Sequence, residues 1–117
     1  MPVTPKRAAD LALAMEAATS RPHFDRTAFR TPRKTFCTLA NDGSTMNFMF
    51  DPDTRDFYCE QAPEAFSPAP GGWGRMGATQ CVLKDVDLAT YRSALAAAHE
   101  LALPKPKAPR RRKPEGG

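Results

Sequence analysis

The sequence predicts an α+β fold built around one core, and three observations carry that prediction. Residues 5–19 and the stretch from 88 to Pro104 place apolar side chains at helical spacing. Between them, residues 27–31, 35–40, 45–50 and 78–84 alternate with the two-residue period of strands. The whole chain is 117 residues long, enough for a single domain with a modest core.

The elements follow in order. Thr4 is placed to cap a first helix, with Pro5 at its first position, where a missing N–H costs nothing. Ala8, Leu11, Ala12, Met15 and Ala18 form its apolar face, and Ser20-Arg21-Pro22 ends it, which sets the helix at 5–19. Residues 27–31 read as a strand that Pro32 confines to an edge or a bulge. Residues 35–40 and 45–50 form a hairpin across Asn41-Asp42-Gly43-Ser44, where Asp42-Gly43 signals a type I′ turn. Met46, Phe48 and Phe50 share one face of the second strand, and Thr45, Asn47 and Met49 the other. Asp51-Pro52-Asp53 opens a short helix with a cap, a first-turn proline and an acidic first turn. That helix carries Phe57 and Tyr58 and ends near Gln61, before Pro63. A glycine- and proline-rich loop follows, then the strand 78–84. Asp87 caps the last helix, whose seam is Leu88, Tyr91, Leu95, Ala98 and Ala102.

The loop from Phe66 to Thr79 holds the only tryptophan, Trp73, and four of the seven glycines. Two readings of Trp73 stand side by side. The favoured one has the ring plugging the edge of the core. The other makes it an exposed stacking platform beside Arg75, suited to a nucleic-acid base or a partner hot spot. Gly72-Trp73-Gly74-Arg75-Met76-Gly77 matches G-x-G-x-x-G, but a dinucleotide site needs a strand before, a helix after and an acidic residue about 20 positions on. A proline-rich loop precedes it, a strand-like run follows and Ala97 stands 20 positions past Gly77, so that reading is rejected.

The net charge of +4 conceals a segregated distribution. Residues 104–117 hold six Lys or Arg against Glu115, among them Arg110, Arg111 and Arg112, and read as a disordered basic tail after a domain spanning 1–103. Such a tail solubilises, or binds a polyanion without specificity. Within the body, Arg21, Arg26, Arg30, Arg33 and Lys34 face one acid, Asp25, over residues 21–34. Residues 51–64 reverse the balance with Asp51, Asp53, Asp56, Glu60 and Glu64 against Arg55. A body polarised in this way steers partners by its field.

No apolar run approaches the roughly 18 residues of a membrane span, and Asp10 and Glu16 interrupt the N-terminal apolar stretch, so no signal peptide is expected. Cys37, Cys59 and Cys81 are odd in number and far apart, which points to reduced thiols in a cytoplasmic protein rather than a disulfide frame or zinc site. His23 and His99 lie on different elements: His99 reads as a surface or packing residue rather than a base, and His23 could orient a ligand, though a capping or loop-anchoring role is favoured. No H-E-x-x-H, G-x-S-x-G or Walker A run appears. No catalytic set, metal site or cofactor is expected, and the chain is not expected to be an enzyme.

The order of several short motifs resembles the MmcQ/YjbR-like family of small bacterial proteins over about residues 5–103. The matching residues are Ala28-Phe29-Arg30 with Lys34-Thr35-Phe36, the Asp51-Pro52 helix start, Ala65-Phe66-Ser67-Pro68, the Gly72-Trp73-Gly74-Arg75 loop and Val86-Asp87. Many members carry a lysine just before the Asp-Pro start, where this chain has Asn47-Phe48-Met49-Phe50. The resemblance implies an α-β-β-β-α-β-β-α order similar to secretion chaperones, with an antiparallel sheet packed on helices. It adds a short strand between Phe66 and Arg75 to the four read from the residues. It also implies DNA binding through paired hairpin wings.

Three functions are therefore weighed. The leading one is a nucleic-acid-binding module, with phosphates met by Arg26, Arg30, Arg33, Lys34 and the tail, and Trp73 and Arg75 beside them. The second is a protein-interaction module resembling a chaperone-like adaptor. The third, an enzyme, lacks a nucleophile–base pair. Neither partner class involves a membrane. A continuous positive face over residues 26–34 and Arg75 favours nucleic acid, whereas an exposed apolar groove favours a protein.

Overall fold

The computed structural model describes residues 3–103. Four helices and six strands run in the order α1 (Pro5–Leu13), β1 (Thr19–His23), β2 (Arg26–Arg30), β3 (Thr35–Ala40), β4 (Thr45–Met49), α2 (Pro52–Gln61), β5 (Phe66–Pro68), α3 (Gly72–Arg75), β6 (Ala78–Val82) and α4 (Leu88–Ala102). The strands form one antiparallel sheet in the order β1-β2-β3-β4-β6-β5. The α+β class and the antiparallel sheet agree with the sequence reading, and the strand expected between Phe66 and Arg75 is β5.

One face of the sheet carries the core. Phe29, Cys37, Phe48 and Thr79 lie in register across β2, β3, β4 and β6, and all are buried. The seam of α4 packs on them through Tyr91, Ala94, Leu95 and Ala98. The Tyr91 hydroxyl donates 2.9 Å to the Ala8 carbonyl and ties α4 to α1. The carbonyls at the end of α4, left without helical partners, accept from β2–β3 turn side chains: Thr31 Oγ1 donates to Ala102 and Arg33 to Leu101. His99 is buried against the edge of Phe36, with Nε2 2.8 Å from the Glu16 carbonyl, so of the surface and packing roles expected of it the structure has packing.

Four local expectations are corrected. The first helix ends at Leu13 and not at 19. Ala17 takes φ +61, and the chain reverses into β1, which pairs with β2 from Thr19↔Arg30 to His23↔Arg26. Met15-Glu16-Ala17-Ala18 are good helix formers, but propensity is a weak prior that the β1–β2 ladder overrides here. Consequently β2 is an interior strand, since β1 covers its edge. The bulge expected near Pro32 does occur: the register shifts between Phe29 and Arg30, which pair with Cys37 and Thr35 and leave Phe36 unpaired between them. Third, the Asp42-Gly43 turn is not type I′, because Gly43 has positive φ and Asp42 does not. Gly43 N–H instead closes on the Ala40 carbonyl at 2.8 Å, and Asp42 accepts from Ser44. Fourth, the strand 78–84 stops at Val82 and becomes a 3₁₀ turn at Leu83–Asp85.

Candidate ligand cleft on the open face

Among the described residues, the other face of the sheet carries no helix except the single-turn α3. Because paired residues share a face, the register fixes its composition. One row reads Arg21, Ala28, Thr38, Asn47, Gln80 and Ser67 from β1 to β5. A second reads Thr19, Arg30 and Thr35, and a third begins His23, Arg26 and Ala40. Cations thus gather on the β1–β2 half, and no strand position on this face is a carboxylate.

The loop between β5 and β6 raises a wall at one end of the face. Its shape is set by close backbone approach. A Cβ at Gly74 would strike the Ala69 carbonyl, and one at Gly77, where φ is +120, would strike the backbone of Phe50 and Asp51. Ala69 N–H donates to Ala78, and Arg55 of α2 donates 2.7 Å to the Gly74 carbonyl. Trp73 and Met76 stand on this braced loop with 69% and 72% of their surface exposed. The favoured reading of Trp73 as a core plug is therefore overturned. Gly74, not the indole, fills the tight space against Ala69, and the ring is left outside.

Floor and wall enclose an open cleft of about 620 Å³, within the size range of small-ligand sites. Ala28, Thr35, Thr38, Asn47, Met49 and Ala78 line its floor. His23, Arg26 and Lys34 supply its basic groups, and Trp73, Met76 and Phe50 its apolar surface. No lining residue is acidic.

Arg26 lies across the floor. Its Nε donates to Thr38 Oγ1 at 2.7 Å and its Nη2 to the Thr38 and Thr45 carbonyls at 2.8 and 3.3 Å. Partial burial pushes its pKa down, with Asp25 and Asp42 at the hairpin tips pulling the other way; a guanidinium stays charged regardless. Asn47 is the opposite case. Its Oδ1 is the one buried side-chain polar atom among the described residues that has no hydrogen-bond partner. Such an atom costs about 1–3 kcal/mol.

The structure brings Arg26, Lys34 and Trp73 together in the cleft. Arg30 holds the second row of the open face beside it, with Nε donating to the Thr31 carbonyl. Arg33 is turned away to the end of α4. Arg75 is exposed on α3 but does not line the cleft. Arg110, Arg111 and Arg112 lie outside the described residues. The sequence reading did not select His23, Thr38, Asn47, Met49 or Met76. For Asn47 the signal was there in the alternation of residues 45–50, which assigns it to the face opposite Phe48.

The YjbR family model matches residues 13–101. The chain belongs to the YjbR family. The crystal structure of Deinococcus radiodurans protein DR2400, which carries a DUF419 domain, is similar to it with a TM-score of 0.68 and 10% identity, over 82% of this chain and 75% of that one. At that identity the likeness concerns the fold, and the YjbR fold here is the sheet with one helix-covered and one open face. No curated protein matches the chain. Among the described residues, no helix is long and apolar enough to cross a membrane.

Proposed function

We propose that this YjbR domain binds nucleic acid on the open face of its sheet. The observation that supports the reading is the joining, in one cleft, of Arg26, Lys34 and His23 with an exposed, braced Trp73 and no acidic lining residue. Cations track phosphates, and an aromatic face offers a stacking surface, the combination used by single-strand binders. Arg21 and Arg30 extend the basic half along β1 and β2. DNA is the first candidate polymer.

The protein-interaction reading draws support from Trp73 and Met76 as exposed apolar anchors at the rim. The absence of acidic lining and the clustering of cations favour a polyanion over an apolar peptide. The test is a salt series of anisotropy titrations with single-stranded and duplex DNA. Binding should weaken linearly in log–log form with salt. A combined Arg30→Ala and Lys34→Ala change should flatten the slope by about one to two units. Absence of affinity at low salt for either form would leave the protein-interaction reading in its place.

A further inference from the structure

From Asn47 we infer that the cleft takes one unstacked base of a single strand, an inference that rests on the nucleic-acid reading above. The Asn47 Oδ1 is buried in the floor without a donor, and Asn47 lines the cleft. What it lacks is an N–H or O–H. At neutral pH a deoxyribose–phosphate backbone offers acceptors only, so on a DNA strand the missing donor is found on a base edge. The terminal torsion of an asparagine is soft, and a partial turn about it would present the amide oxygen and N–H₂ together to the cleft. An amide with donor and acceptor side by side is the group that pairs with a base edge.

The surroundings suit the rest of a nucleotide. Trp73 and Met76 line the wall with the flat and polarisable surface that a base face packs against. Lys34 and Arg26 line the same cleft and carry the charge for flanking phosphates, and His23 beside them offers ring nitrogens for hydrogen bonding. A base inside a duplex has its faces covered by its neighbours, so occupancy of this cleft requires a single strand or an extruded base.

Trp73 is the only tryptophan in the chain and reports directly on stacking. The full chain is titrated with oligodeoxyadenylate, with an abasic deoxyribose–phosphate oligomer of equal length and with a duplex. Affinity is read by anisotropy of labelled strands and stacking by quenching of Trp73 emission. The base-bearing strand should bind about tenfold tighter than the abasic one, the fold-change expected of one stacked base, and it alone should quench. Asn47→Ala should remove about tenfold from the base-bearing affinity and leave the abasic affinity unchanged. Trp73→Ala supplies an independent variant on the exposed wall and should narrow the same gap. Equal affinity for base-bearing and abasic strands, without quenching, overturns the base cleft while phosphate binding stands. No affinity for any of the three overturns both.

Discussion

Cys37, Cys59 and Cys81 are all free thiols, as their number and spacing implied, but their surroundings differ. Cys37 and Cys81 lie on the core face of the sheet and are fully buried. Burial drives the Cys37 thiol far up and pushes Cys81 up to about 12. Cys59, on α2, is only partly covered, and burial raises it without closing it off. Since the thiolate is the reactive form, Cys59 should label first in the native protein at mild alkaline pH. Cys37 and Cys81 should react only as the chain unfolds. Mass measurement of alkylated protein over time checks this, and early loss of either buried thiol would mean that the sheet opens locally there. The same residue-level contrast governs the cleft. Trp73 and Phe24, 93% exposed at the β1–β2 tip, are large apolar groups that the fold leaves in water. Alternation and spacing reveal neither, because loop exposure is decided by which backbone segment packs beneath.

At the level of elements, legibility followed the strength of local chemistry. α2 begins where Asp51-Pro52 predicted, with Asp51 Oδ1 accepting from Thr54 N–H at 2.9 Å. β3 and β4 run as alternation predicted, and so does the seam of α4. What sequence reading missed was β1, whose five residues are all exposed. A strand with no apolar face has no periodic signal, and β1 exists through its ladder with β2. The Asp51 cap yields a prediction with a definite sign. Thr54, by its side chain and then its backbone N–H, holds the Asp51 carboxyl below the ordinary carboxylate value. A carboxyl lowered on folding stabilises fully above its unfolded pKa of about 3.9 and loses that contribution as pH falls through the lower folded value. Asp51→Ala should therefore cost about 0.5–2 kcal/mol near neutrality. The gap to the parent protein should shrink toward about pH 3, as measured by urea denaturation at both pH values. A gap independent of pH would show that the carboxylate charge is not what caps α2.

Across the whole molecule, the question is how charge is shared between the folded body and the chain that follows it. Residues 104–117, with six basic side chains and one acid, lie outside the described residues, while the core described above is built from residues within 3–103. A protein ending at 103 should therefore keep the thermal melt and circular dichroism of the full chain. Its end at α4 remains closed by Thr31 and Arg33. Binding then divides the two sources of charge. On the proposed nucleic-acid reading, the six cations of residues 104–117 add attraction for any phosphate chain, so their loss should weaken DNA and abasic strands alike and lower the salt slope. The cleft has fixed geometry, with Arg26 bound across the floor and Trp73 on a braced loop. The shortened protein should thus retain weaker, salt-sensitive binding to single strands, and its preference over duplex should grow. A folded 1–103 protein with no affinity at low salt would assign all binding to the tail. The open face would then belong to a protein partner, with Trp73 and Met76 as its anchors.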